Sequence, residues 1–93
     1  MKETTAQLHN YIISVVQNGN KTNPIVSFYS VTNSFMSLIV SDADGKLLYR
    51  LQQSVSAGIN SVQLLSGNLK TRGVKIVQLS LQNDQLVNRF IYN

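Results

Sequence analysis

The groups able to do covalent or metal chemistry are few. The chain of 93 residues holds one histidine, His9, and four carboxylates: Glu3, Asp42, Asp44 and Asp84. It has no cysteine and no tryptophan. A thiolate nucleophile, a disulfide framework and a thiolate zinc site are therefore excluded. A Ser-His-Asp arrangement would have to use His9, which lies near the start of the chain with no adjoining carboxylate. A metal site needs three or four ligands, and only Asp42 and Asp44 are clustered. Asp42-Ala43-Asp44-Gly45 has the spacing of part of a calcium loop. The other ligands of such a loop are missing, including its distant Glu, and Asp and Gly are also the commonest residues of hairpin turns. The reading is a chain that is not an enzyme and takes no metal or cofactor.

Recognition is the remaining kind of chemistry. The net charge is +4, from eight Lys and Arg against four Asp and Glu, with a pI near 9.7. Most of the cations are scattered, as on an ordinary solvated surface. Only Lys70, Arg72 and Lys75 form a local group. No signature of an RNA- or DNA-binding module accompanies them, so no nucleic-acid partner is expected. The aromatics Tyr11, Phe28, Tyr29, Phe35, Tyr49, Phe90 and Tyr92 could in principle form a sugar platform. Nearly all fall inside extended apolar runs, where packing in a core or on a sheet face accounts for them.

The elements that must position these groups are strands. Hydrophobic residues make up 43% of the chain, enough for one small core, whereas charged residues make up only 13%. Helical periodicity is absent. Short alternating runs rich in Val, Ile, Tyr and Phe recur between turn residues, which is the pattern of an all-β domain. The predicted strands cover Tyr11–Gln17, Pro24–Ser30, Phe35–Ser41, Lys46–Gln53, Asn60–Leu65, Val74–Gln82 and Gln85–Tyr92. Asp42, Asp44 and Gly45 turn the clearest hairpin, and Gly58 serves the next turn. Leu47, Tyr49 and Leu51 are expected to share a face. Val74 and Ile76 break phase with Val77, Leu79 and Leu81, so the sixth strand is expected to be buried on both faces or to carry a bulge. Leu69 is expected to plug the end of the core. Seven such strands imply an immunoglobulin-like antiparallel β-sandwich over residues 11–93, preceded by a leader or residual linker over residues 1–10. A small barrel is the structural alternative.

The first ten residues have no apolar run of the signal-peptide kind, and no window nears the ~20 apolar residues of a membrane-spanning helix. A Met start of this kind fits a cytoplasmic protein or a piece of a longer exported chain with an added initiator.

From Asn23 to Asn93 the order of features resembles the C-terminal sorting domains of Bacteroidetes cargo proteins, which direct export through the type IX secretion system. Asp42, Gly45, Lys46 and Leu48 fit that family's hairpin. Val55, Gly58, Asn60, Val62 and Leu64 fit its third element. Leu69, Gly73, Val74, Val77 and Leu79 fit the fourth, and Val87, Arg89, Phe90 and Ile91 fit the terminal strand. The opening is Lys21-Thr22-Asn23-Pro24 where the family has Tyr-Pro-Asn-Pro, and Lys75 stands where the family has Tyr.

The resemblance implies a non-catalytic signal that sends an upstream passenger through the periplasm to the cell surface or the medium. The implied partners are the outer-membrane translocon or a shuttle protein, and a surface protease that removes the domain. The recognition candidates are Lys70, Arg72, Gly73, Lys75, Arg89, Phe90, Ile91, Tyr92 and Asn93. A homodimer formed by exchange of the terminal strand is a further expectation. The rival reading is a stand-alone adhesion or carbohydrate-binding sandwich.

Overall fold

The computed structural model describes residues 9–93. It is an all-β sandwich of seven antiparallel strands. The strands are β1 (Tyr11–Val16), β2 (Ile25–Ser30), β3 (Ser34–Asp42), β4 (Leu47–Val55), β5 (Gly58–Gln63), β6 (Gly73–Leu81) and β7 (Asp84–Tyr92). One sheet has the order β1-β2-β5 and the other β4-β3-β6-β7. In the constant-type immunoglobulin arrangement the fourth strand shares a sheet with the first, second and fifth, next to the fifth. Here β4 pairs with β3 instead, the place that an added strand takes in variable-type domains, so the sandwich is immunoglobulin-like as expected. Among the described residues the only other regular element is a 3-10 turn, Ser66–Asn68. No helix among the described residues is long and apolar enough to cross a membrane.

Alternation along the strands builds the core. On β2 every second residue is buried, so Val26 and Phe28 face inward while Ile25, Ser27 and Tyr29 face outward. Met36, Leu38 and Val40 of β3 meet them from the other sheet, with Val77, Leu79 and Leu81 of β6 alongside. Full burial of each such side chain contributes about 1.5–3 kcal/mol. Val62 and Leu64 close one side, and Leu69 is fully buried at the end of the core as expected.

Two expectations about strand phase need correction. Leu47 does not share a face with Tyr49 and Leu51. Val40 pairs with Tyr49 but Ser41 pairs with Leu47, so Leu48 is an extra residue and the strand changes phase there. Leu47 is accordingly exposed while Tyr49 and Leu51 pack on the core. The sixth strand, by contrast, has no bulge: Gly73 to Leu81 pairs in unbroken register with β7. Val74 and Ile76 face outward, and the residue in phase with Val77 is Lys75. The second bulge lies in β1, where Ile13 is the extra residue between Ile12 and Ser14.

At the start of the described residues, Asn10 is part of the sandwich. It is buried, accepts the Val31 N–H at 2.8 Å through Oδ1, and donates from Nδ2 to Asp84 Oδ2 at 2.7 Å. The expected leader otherwise lies outside the described residues, apart from His9, whose ring centroid is 5.7 Å from that of Tyr11.

Candidate functional site

Antiparallel alternation sorts the connections between the two ends of the sandwich. The β1–β2, β3–β4 and β5–β6 loops share one end with Asn93, and the β2–β3, β4–β5 and β6–β7 loops share the other. Lys21, Lys46, Lys70 and Arg72 all lie in loops of the first end, and Lys75 is the third residue of the strand rising from it. Asp42 and Asp44 are the only acidic side chains there among the described residues.

Local structure sets the cations in place. Asn23 Oδ1 accepts the Ser66 N–H at 2.8 Å, tying the β1–β2 loop to the β5–β6 connection. The 3-10 turn ends as Leu69 drops into the core. Lys70 then takes a left-handed conformation, φ 66°, and the chain reverses. That position after a helical turn ordinarily favours Gly or Asn. Lys21 is left-handed too, φ 63°, and its N–H donates to the Asn93 backbone oxygen at 2.7 Å. The Gln17 side chain holds Asn93 from both sides: Nε2 donates to its oxygen and Oε1 accepts its N–H, each at 2.8 Å. Gly73 opens β6 opposite Tyr92.

The result is a surface depression of about 490 Å³ lined by Lys21, Ser66, Gly67, Lys70, Thr71, Arg72 and Tyr92. Lys75 joins this end through Thr71: it is 2% exposed, in the buried phase of β6, and its Nζ donates to Thr71 Oγ1 at 3.5 Å.

Six of the nine sequence candidates therefore converge at this end: Lys70, Arg72, Gly73, Lys75, Tyr92 and Asn93. As a correction to the surface trio, Lys75 is not exposed; its place in the inward phase of β6 puts it under the loop. Arg89, Phe90 and Ile91 do not join the depression. Arg89 and Ile91 stand exposed on the outer face of the four-stranded sheet, and Phe90 packs against the core. Their strand, β7, is an edge, as the sequence suggested. Lys21, Ser66, Gly67 and Thr71 also line the depression and are not among the sequence candidates.

The Asp42 turn is structural in its contacts. Asp42 Oδ1 accepts the N–H groups of Asp44 and Lys46 at 3.0 Å each, and Asp42 O accepts the Gly45 N–H at 3.0 Å. Gly45 has φ 89°, which a side chain would strain. Gly58, φ 107°, opens β5. Among the described residues no three His, Cys, Asp or Glu side chains come together as a metal group.

The aromatics divide. Phe28 and Tyr92 are buried, Tyr49 and Phe90 partly so, and Phe35 is exposed. Tyr11 and Tyr29 face each other on the outside of the three-stranded sheet, with ring centroids 5.5 Å apart and planes inclined at 23°. No residue of β1, β2 or β5 is charged.

Compared with known proteins, the sequence matches no family model and no curated protein.

Proposed function

We propose that the chain is a non-catalytic sorting domain that marks an upstream passenger for the type IX secretion machinery. The observation that carries this reading is the ordered pattern from Asn23 to Asn93, whose elements fall on successive strands and turns of one sandwich. The gathering of the exposed candidates Lys70 and Arg72 with Lys21 at one end adds support, because a carrier reads a surface and not a reaction centre. Docking there would use the exposed Lys21, Lys70 and Arg72. The exposed edge β7 would offer backbone groups to which a partner can add a strand, flanked by Arg89 and Ile91. The passenger would then be released by a surface protease that cuts ahead of the domain.

The test is a reporter carrying the 93 residues at its C-terminus, expressed in a host with a working type IX system. The reporter should reach the cell surface or medium. Retention in the periplasm, as for a reporter without the domain, would refute the proposal.

The Tyr11–Tyr29 pair on an uncharged face favours one second reading, a carbohydrate-binding sandwich. Binding on a glycan array that is lost in Tyr11→Ala, together with no export of the reporter, would favour it.

A further inference from the structure

From the geometry of the depression we infer an oxyanion site for a small ligand bearing a phosphate or sulfate ester, independent of the export reading. Two separate observations carry this.

The first is convergence of unmatched charge. Lys21, Lys70 and Arg72 line one depression, and among the described residues no carboxylate side chain bonds to any of them. The nearby Asp42 carboxylate is engaged by backbone N–H groups. The Asn93 oxygen is engaged by the neutral donors of Gln17 and Lys21 N–H. A guanidinium presents a planar fork matched to phosphate and sulfate oxygens, and lysines add point charge.

The second is Lys75. Its ammonium is buried, and its one hydrogen bond among the described residues is the contact of 3.5 Å to Thr71 Oγ1, at the limit of hydrogen-bond length. A buried ammonium without a counter-charge is costly. Thr71 accepts that bond, which leaves its own O–H free to donate into the depression it lines. An anion seated there would accept a hydrogen bond from the Thr71 O–H and place negative charge near Lys75. The arrangement thus supplies three direct cations and a fourth acting through a hydroxyl.

The size of the depression, about 490 Å³, falls in the range of small-molecule sites and exceeds what a bare oxyanion fills. The remaining lining, Ser66, Gly67 and Tyr92, is neutral, which suits an uncharged body carrying the ester.

The experiment is an amide NMR titration of the 93-residue chain with inorganic phosphate, sulfate and glucose 6-phosphate, against sodium chloride at matched ionic strength. Saturable shifts confined to Lys21 and residues 66–73 are expected, with glucose 6-phosphate binding more tightly than inorganic phosphate. A stronger response to phosphate assigns a phosphate ester, and a stronger response to sulfate a sulfate ester. Arg72→Gln and Lys70→Gly should each weaken binding about tenfold, the scale of one charge-assisted contact. Lys75→Met should weaken it as well, although that side chain is not at the surface. Shifts that chloride reproduces, or affinity unchanged in Arg72→Gln and Lys70→Gly, would overturn the inference.

Discussion

At the end of the sandwich that carries the β2–β3, β4–β5 and β6–β7 loops, amides and hydroxyls satisfy one another. Asn10 bridges Val31 and Asp84. Asn33 Oδ1 accepts the Ala57 N–H at 2.9 Å, Ser30 Oγ donates to Thr32 O at 2.7 Å, and Asn60 Nδ2 donates to Ser56 O at 2.8 Å. These loops span only residues 31–33, 56–57 and 82–83, and none of them carries a charge. At the other end the loops include residues 17–24 and 64–72, and their cations have no side-chain partner among the described residues. The contrast separates an end whose polar groups are satisfied within the fold from one with charge to spare. Short loops whose polar groups bond inward serve the fold, whereas long loops with unmatched charge leave binding capacity for something outside it.

Four substitutions can break or sharpen this contrast. The largest effect belongs to neither set of polar groups. Leu69→Ala should cost about 2–4 kcal/mol, because Leu69 seals the core beneath the cationic end. A denaturant curve showing less than 1 kcal/mol by that same scale would mean the plug is dispensable. Next comes Asn10→Ala, which leaves the Val31 N–H and the Asp84 carboxylate without this partner. It should cost about 1–3 kcal/mol in urea unfolding, and a neutral result would remove the claim that the quiet end is structural.

Lys75→Met goes the other way. It replaces a buried ammonium with an apolar chain of similar length and should stabilise the ligand-free protein by about 1 kcal/mol. Destabilisation of that size would show the ammonium to be well satisfied already. The smallest effect is Lys70→Gly. Gly relieves the left-handed strain at φ 66° but adds freedom to the unfolded chain, so melting should shift by no more than about 1 kcal/mol in stability. That variant keeps the fold while removing one cation from the cationic end.

Much of this was legible in the sequence, for identifiable reasons. Alternation of residues such as Val26/Phe28 and Met36/Leu38/Val40 determines which face is buried, so seven strands around one core follow directly, while the choice of two layers over a small barrel does not. Phase fails where an extra residue enters. Nothing in Lys46-Leu47-Leu48-Tyr49 marks Leu48 as the bulged one, because all three apolar residues fit either face. The burial of Lys75 was visible in principle, since it keeps phase with Val77, Leu79 and Leu81. Its charge argued for the surface, but the long stem can run through the core and still deliver the ammonium to Thr71. Lys21 was recoverable by topology alone: where successive strands alternate in direction, the first, third and fifth loops fall at one end, and Lys21, Lys46, Lys70 and Arg72 occupy those loops. Contact of Asn93 with Gln17 and Lys21 was not recoverable, because it depends on how the two sheets meet at their ends.

The central claim is that the cationic end, and not the opposite one, is what a carrier reads. The direct measurement is surface delivery of the reporter fusion in a type IX host, comparing Lys70→Glu/Arg72→Glu with Gln82→Glu/Asn83→Glu after both variants are shown to fold. The account predicts periplasmic retention for the first pair and normal delivery for the second. Equal delivery of both, or loss only in the second, would contradict it.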